Sequence, residues 1–311
     1  MPLNINTNSA ASTASYHLSK NNAALQKSLS RLSSGSRITQ PADDAGGLAV
    51  SMKLRGTISR MTGVEKNIDN ATSFLQVQDG VLESAGKIID RMAELKALSQ
   101  DVLKNSSDIA NYNAEFKNLQ VQLYQMSETK FNGVSLFATT DASGTKTTFN
   151  TVGSGNTVSI FTSATGESGS VVSINKTSML AALTIDASSV STKKAFQDAA
   201  TANDEIRSFG AATVGAAFEL GEVSVAVFTQ ALQNVATLRA ENGGSVSRLQ
   251  FARESVTAQK TNLEAANGRI MDVDIASEST RLAKYNILVQ ASASMLSQAN
   301  SSSNVAMMLL N

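Results

Sequence analysis

The chain has 311 residues, with 26 Lys and Arg against 26 Asp and Glu, one His, and neither Cys nor Trp. A net charge of zero excludes strong nonspecific attraction to nucleic acid or to an anionic membrane. The absence of cysteine excludes disulfides, thiolate chemistry and thiol metal sites. Charged residues are 17% of the chain, below the roughly 25% of an average soluble domain. Much of the surface is therefore neutral, as suits a protein covered by copies of itself.

The N-terminus, MPLNINTNSAASTASYHLSK, has no early positive charge and no apolar core, so no cleaved secretory signal is expected. The first 42 residues carry Lys20, Lys27, Arg31 and Arg37 and no acid. Leu18, Leu25 and Leu32 stand seven apart, the spacing of a short coiled-coil helix. That run ends in Ser34 and Gly35, and Pro41 blocks its continuation. Asp43 and Asp44 then suit a helix N-terminus, where acids complement the dipole, and Gly46 and Gly47 permit close packing or a turn.

A longer seven-residue repeat predicts a helix over 57–104. Met61, Ile68, Leu75, Leu82 and Ile89 form one row, and Val64, Ala71, Gln78, Ala85 and Met92 form its companion. The NSSD at 105–108 predicts a break with Asp108 as the next N-cap, followed by a helix over 109–130. Asn132-Gly133 signals a turn. Residues 138–192 are rich in Ser, Thr, Gly and Val. TKTTFNTV and NTVSIFTS within them read as short strands of a small exposed insert.

Helical signals return over 193–209 and more strongly over 222–240, with Val225, Phe228, Leu232 and Val235 on one face. ENGGS at 241–245 is expected to interrupt or bend that helix. Sevens then resume at Leu249, Val256, Leu263 and Ile270, and again at Ile275, Leu282, Val289 and Leu296, with Leu310 in phase. From Tyr285 to the end no side chain is charged, a poor surface for a helix exposed to water. Both ends are thus helical and heptad-spaced, and each supplies a partner for the other. Three or four leucines, at roughly 1.5–3 kcal/mol each, do not offset the roughly 1–2 kcal/mol per residue of ordering a 30-residue terminus. The ends are expected to order on association.

Catalytic patterns fail on inspection. His17 is the only histidine, which removes Ser–His–Asp triads and His-based metal motifs. GVLESAGKI at 80–88 has the wrong glycine spacing for a phosphate loop and Ile88 where a hydroxyl is needed. DVDIASESTRL at 272–282 lacks the glycine and terminal acid of a calcium loop. No enzyme activity and no cofactor are expected, and no run of 18 apolar residues spans a membrane.

The two ends together resemble bacterial flagellin. The segments that carry the likeness are INTNSAA, LSRLSSGSRITQPADDAGGLAV, KFNGVSLF, ANGRIMDVDIASEST and ILVQASASMLSQANSSSNVAMMLLN. They occur in the family's order and cover about residues 1–137 and 222–311. The resemblance implies a mainly α fold, a long coiled-coil bundle formed by both chain ends with a small β-containing central insert. It implies an inner-core helix and spoke over 1–42, an outer core over 43–137 and 193–271, a variable insert over 138–192, and a C-terminal inner-core helix over 272–311. The implied function is the subunit of the flagellar filament, polymerising for motility through Leu18, Leu25, Leu32, Leu282, Val289 and Leu296. A hook–filament junction protein is the alternative.

The implied partners are further copies of the chain, a flagellar export chaperone, and the filament cap and hook-associated proteins. The implied route is type III export to an extracellular filament. A patch resembling the segment read by a vertebrate Toll-like receptor falls on Arg91, Glu94 and Leu95, with Glu115 on the following helix. Ala93 stands where many members carry arginine.

Overall fold

The computed structural model describes residues 8–138, 157–177, 179–186, 206–208 and 210–308. They form two compact units: Met1–Ser59 with Gln259–Asn311, and Arg60–Ala258. Each unit is built from both halves of the sequence. The division falls inside two long helices, not at the Ser- and Gly-rich stretch near residue 42.

The first unit holds the chain ends. Helix α1 spans Ser9–Ser34, started by the Asn8 side chain accepting from the Ala11 amide at 3.0 Å and stopped by Gly35 at φ 69°. That left-handed residue costs glycine nothing. Helix α6 spans Ile275–Met308. Asp274 caps it by accepting from the amides of Ala276 and Ser277. The two helices run antiparallel, as shown by Asn8 Nδ2 donating to the Ala299 carbonyl at 2.9 Å and Asn21 Nδ2 to Ser292 Oγ at 3.0 Å.

The second unit contains most of helix α2, which spans Ala45–Ser99, all of α3 at Ser106–Ser127, and most of α5 at Val225–Met271. All ten residues of the two α2 rows are buried, Gln78 included. Phe116 of α3 meets Phe228 of α5 edge to face, ring centres 6.0 Å apart. Strand β1, Lys130–Phe131, pairs with β2, Val134–Ser135. Asn132 at φ 49° and Gly133 at φ 81° make the tight hairpin turn between them. Strand β3, Thr157–Phe161, is antiparallel to β4, Val171–Asn175. A one-turn helix α4, Met179–Ala182, precedes β5, Thr184–Asp186, which is antiparallel to β6, Ile206–Ser208.

The fold is therefore mainly helical with small two-stranded sheets, as the sequence implied. Five details differ from expectation. Helix α2 begins at Ala45 and not near residue 57. The cap of α3 is Asn105, which accepts from the Asp108 amide at 2.8 Å while Asp108 reaches back to the Asn105 amide; Asp108 is the third residue of a capping box. Residues 206–208 are strand, not helix. Val225 is exposed, and the buried face of α5 runs through Phe228, Ala231, Val235 and Leu238.

The fifth difference is ENGGS, which does not break α5. Asn242 is buried there and donates from Nδ2 to the Leu75 carbonyl at 2.8 Å, and that anchor with the flanking core outweighs two glycines worth about 1 kcal/mol each. The expected strand at 145–152, the helix over 193–205 and Leu310 lie outside the described residues.

Candidate assembly surfaces

The joint between α1 and α2 is where the chain end turns back. Gly35 ends α1, and residues 35–37 cross the segment after α5. The Arg37 amide donates to the Met271 carbonyl at 2.6 Å, the Val273 amide to Gly35 at 3.1 Å, and Arg37 Nε to Ile270 at 3.0 Å. Asp43 closes the following loop by accepting from the amide and hydroxyl of Thr39, and it pairs with Lys27 of α1. The Lys27 ammonium, with Thr39 behind it, holds the Asp43 carboxyl well below the usual carboxylate range despite the opposing effect of burial.

Asp44 is the N-cap of α2, accepting from the Gly47 amide at 2.8 Å. That contact and Arg37 lower its pKa. A Cβ on Gly47 would lie 2.5 Å from Asp44 Oδ2 and 3.0 Å from Ile38 Cδ1, so the close approach requires glycine. The paired aspartates are structural, each with its own cationic partner.

The six residues expected to drive polymerisation lie on the two helices that pair. Leu18, Leu25 and Leu32 of α1 and Leu282, Val289 and Leu296 of α6 are all half-buried. The positions between them are polar. Asn21 bonds Ser292, and the Ser28 hydroxyl donates to Glu278, both of them buried; Arg281 Nη1 holds the other Glu278 oxygen at 3.2 Å. The seam thus alternates apolar layers with hydrogen-bonded ones. Tyr16, Leu29, Ile287 and Met295 of the same two helices are exposed.

The four residues of the suspected receptor patch separate. Arg91 on α2 joins Glu115 of α3 at 2.8 Å and Glu94 at 2.7 Å, and these carboxylates, Glu115 first, raise its pKa. Leu95 is fully buried, with 0% exposure, and belongs to the core beneath that cluster. It is no surface contact.

Sequence reasoning missed the buried amides. Gln78 Nε2 donates to the Leu136 carbonyl at 2.7 Å and to Thr177 Oγ1 at 2.9 Å. Gln120 makes both bonds to the backbone of Phe218. Lys96, also buried, donates to the Leu220 carbonyl at 2.8 Å, and burial lowers its pKa. The only signal was Gln78 standing in a row of apolar residues. Among the described residues no group of His, Cys, Asp and Glu could hold a metal ion.

The matches to known proteins fall on the elements just described. The N-terminal helical region of bacterial flagellin matches residues 5–142, and its C-terminal helical region matches residues 225–310. The chain belongs to the flagellin family. It is 33% identical over 306 residues to a flagellin of Bacillus subtilis (strain 168), covering 96% of each chain. To the flagellar filament 30.7 kDa core protein of Treponema maltophilum it is 30% identical over 311 residues, covering 98% of this chain and 99% of that one. The crystal structure of Bacillus cereus flagellin is 21% identical, with a TM-score of 0.41 over 65% of this chain and 94% of that one. The assignment of this flagellin rests on the sequence matches.

Proposed function

We infer that this chain is a structural subunit of the bacterial flagellar filament, polymerising into a helical assembly for motility. One observation carries the reading beyond family membership. The two extreme ends of the chain pair as α1 and α6, and the outward faces of that pair carry Tyr16, Leu29, Ile287 and Met295 in the open. Large apolar side chains left open along a long helical pair suit a surface that other copies cover.

The polymerisation rows Leu18, Leu25, Leu32, Leu282, Val289 and Leu296 fit this role as the seam that forms the pair. The ends, 1–42 and 272–311, are read as the inner core and joint, 43–137 and 193–271 as the outer core, and 138–192 as the exposed insert. The sparse charge and the stretch from Tyr285 onward, which carries no charged side chain, support a covered inner layer. They also suit a chaperone that holds α6 before export through a type III apparatus to the extracellular filament. Cap and hook-associated proteins would meet the same ends. Arg91, Glu94 and Glu115 form an exposed charged cluster that a Toll-like receptor could read, with Leu95 supporting it from below.

Seeded polymerisation of purified protein followed by electron microscopy tests the reading. Long tubes are the expected result. Short rings would favour the hook–filament junction instead, and no assembly on seeds would overturn the filament reading.

A further inference from the structure

The two most exposed large apolar side chains among the described residues are neighbours in one turn. Val102 is 96% exposed and Leu103 is 91% exposed, between the end of α2 and the start of α3. The turn is ordered. The Leu103 amide donates to Asp101 Oδ1 at 3.0 Å, the Lys104 amide to the Asp101 carbonyl at 3.2 Å, and the Asn105–Asp108 capping box follows at once. Hydrogen bonds on both sides thus hold an apolar tip out into water.

The same unit has an apolar groove of about 520 Å³ between α2, the β1–β2 hairpin and β3. Phe74, Phe131, Val134 and Ile160 line it, with Asn70 and Asn132 among its polar residues and no charged side chain in its lining. Phe74 and Phe131 meet edge to face at 6.0 Å. Its edge includes consecutive residues of β3, whose outer side pairs with no strand among the described residues.

We propose that the Val102–Leu103 tip of one copy seats in the Phe74–Phe131 groove of a second copy of this chain, forming a head-to-tail contact of the filament. This rests on the filament reading above. The tip cannot reach its own groove, because α2 rises roughly 40 Å between Ala71 and its end at Ser99. Repeated head to tail, a tip and a groove at different places on one molecule make a heterologous contact, which gives a ring where the rotation between copies closes and an open helical filament where it does not; the filament reading selects the second.

The area decides between a lone partner and an assembly. Two side chains bury far less than the roughly 1,200 Å² of a stable complex, so the contact holds only where other surfaces already align the copies. An uncharged groove receiving an uncharged tip also avoids any buried unpaired charge.

The chain has no cysteine, so the contact can be trapped. Filaments assembled from a Leu103→Cys, Asn70→Cys double variant and oxidised are expected to give a ladder of covalent oligomers on nonreducing gels. Filaments with Leu103→Cys and Glu241→Cys, whose second site lies outside the groove, are expected to give none. Separately, Val102→Asp with Leu103→Asp is expected to raise the critical concentration for seeded polymerisation at least tenfold, with the monomer's melting unchanged.

If wild-type protein polymerises and the groove pair forms no ladder, or if the double aspartate variant assembles at the wild-type concentration, the contact is wrong while the filament reading stands. If wild-type protein does not assemble on seeds, the filament reading itself fails.

Discussion

Leu95 and Arg91 are separated by one turn of α2 and by the boundary of the core. Arg91 is an exposed ion-paired side chain, and its pairs contribute little to stability in water. Leu95 is fully buried, and truncating such a leucine costs about 2–5 kcal/mol. Leu95→Ala is therefore expected to lower the melting temperature of the monomer by several degrees in calorimetry, and Arg91→Ala to leave it nearly unchanged. If the cluster is read by the receptor, a reporter assay with the Arg91 variant isolates recognition, whereas the Leu95 variant mixes recognition with stability.

Asp43 gives a pH dependence at the same scale. Its folded-state pKa lies below the unfolded value, so its contribution is full above about pH 4 and fades as the pH falls toward the folded value. Between pH 4 and pH 2 the melting temperature of assembled Asp43→Asn filaments, in which α1 is ordered, is expected to fall less steeply than that of wild-type filaments. Equal slopes would show that the Lys27–Asp43 pair does not couple to folding.

At the scale of elements, the seven-residue spacing was legible because burial on a helix repeats with nearly that period, and every residue of the two α2 rows is indeed buried. The joint was legible for a different reason. Gly35, Pro41 and the paired aspartates each have a narrow set of backbone uses. The limits of legibility are equally physical. A polar Gln in an apolar row says that something odd is buried, but its carbonyl partner at Leu136 comes from a loop 58 positions away. The cap of α3 slipped by three residues because Asn105 and Asp108 are both good caps, and only the geometry shows which accepts from which. The position of Leu95 inside the core, not on the cluster's surface, was open to the same error, since resemblance transfers residues and not their burial.

The glycines in α5 provide a test at this scale. Gly243 and Gly244 sit in a continuous helix, and a Cβ on either meets nothing within 4 Å. Alanine at each is expected to stabilise the monomer by about 0.5–1 kcal/mol through the lower entropy of the unfolded chain, read as a higher denaturant midpoint at unchanged slope. A loss of stability would mean that α5 needs those glycines to bend.

For the whole molecule, the question is how much of α1 and α6 belongs to the monomer fold. Their seam places Leu282, Val289 and Leu296 on one side and Leu18, Leu25 and Leu32 on the other, all half-buried, with Asn21–Ser292 and Ser28–Glu278 bonds between the apolar layers. Half-burial means that the pair alone removes only part of each side chain from water, while ordering some sixty backbone positions at about 1 kcal/mol or more each opposes it. In the proposed filament the balance would shift as neighbouring copies cover Tyr16, Leu29, Ile287 and Met295. Leu296→Asp places a carboxylate on a helix with no charge beyond Lys284, and burying it unpaired costs several kcal/mol in every subunit. The expected outcome is near-normal calorimetric melting of the second unit together with failed seeded sedimentation. In the wild type, limited proteolysis of the monomer is expected to trim about residues 1–40 and 275–311, and the filament to resist. Normal filaments from Leu296→Asp would remove α6 from the assembly surface. If the substitution also lowers the main melting transition, the terminal pair is already part of the monomer's cooperative fold, and protease resistance of both ends in the monomer would confirm it.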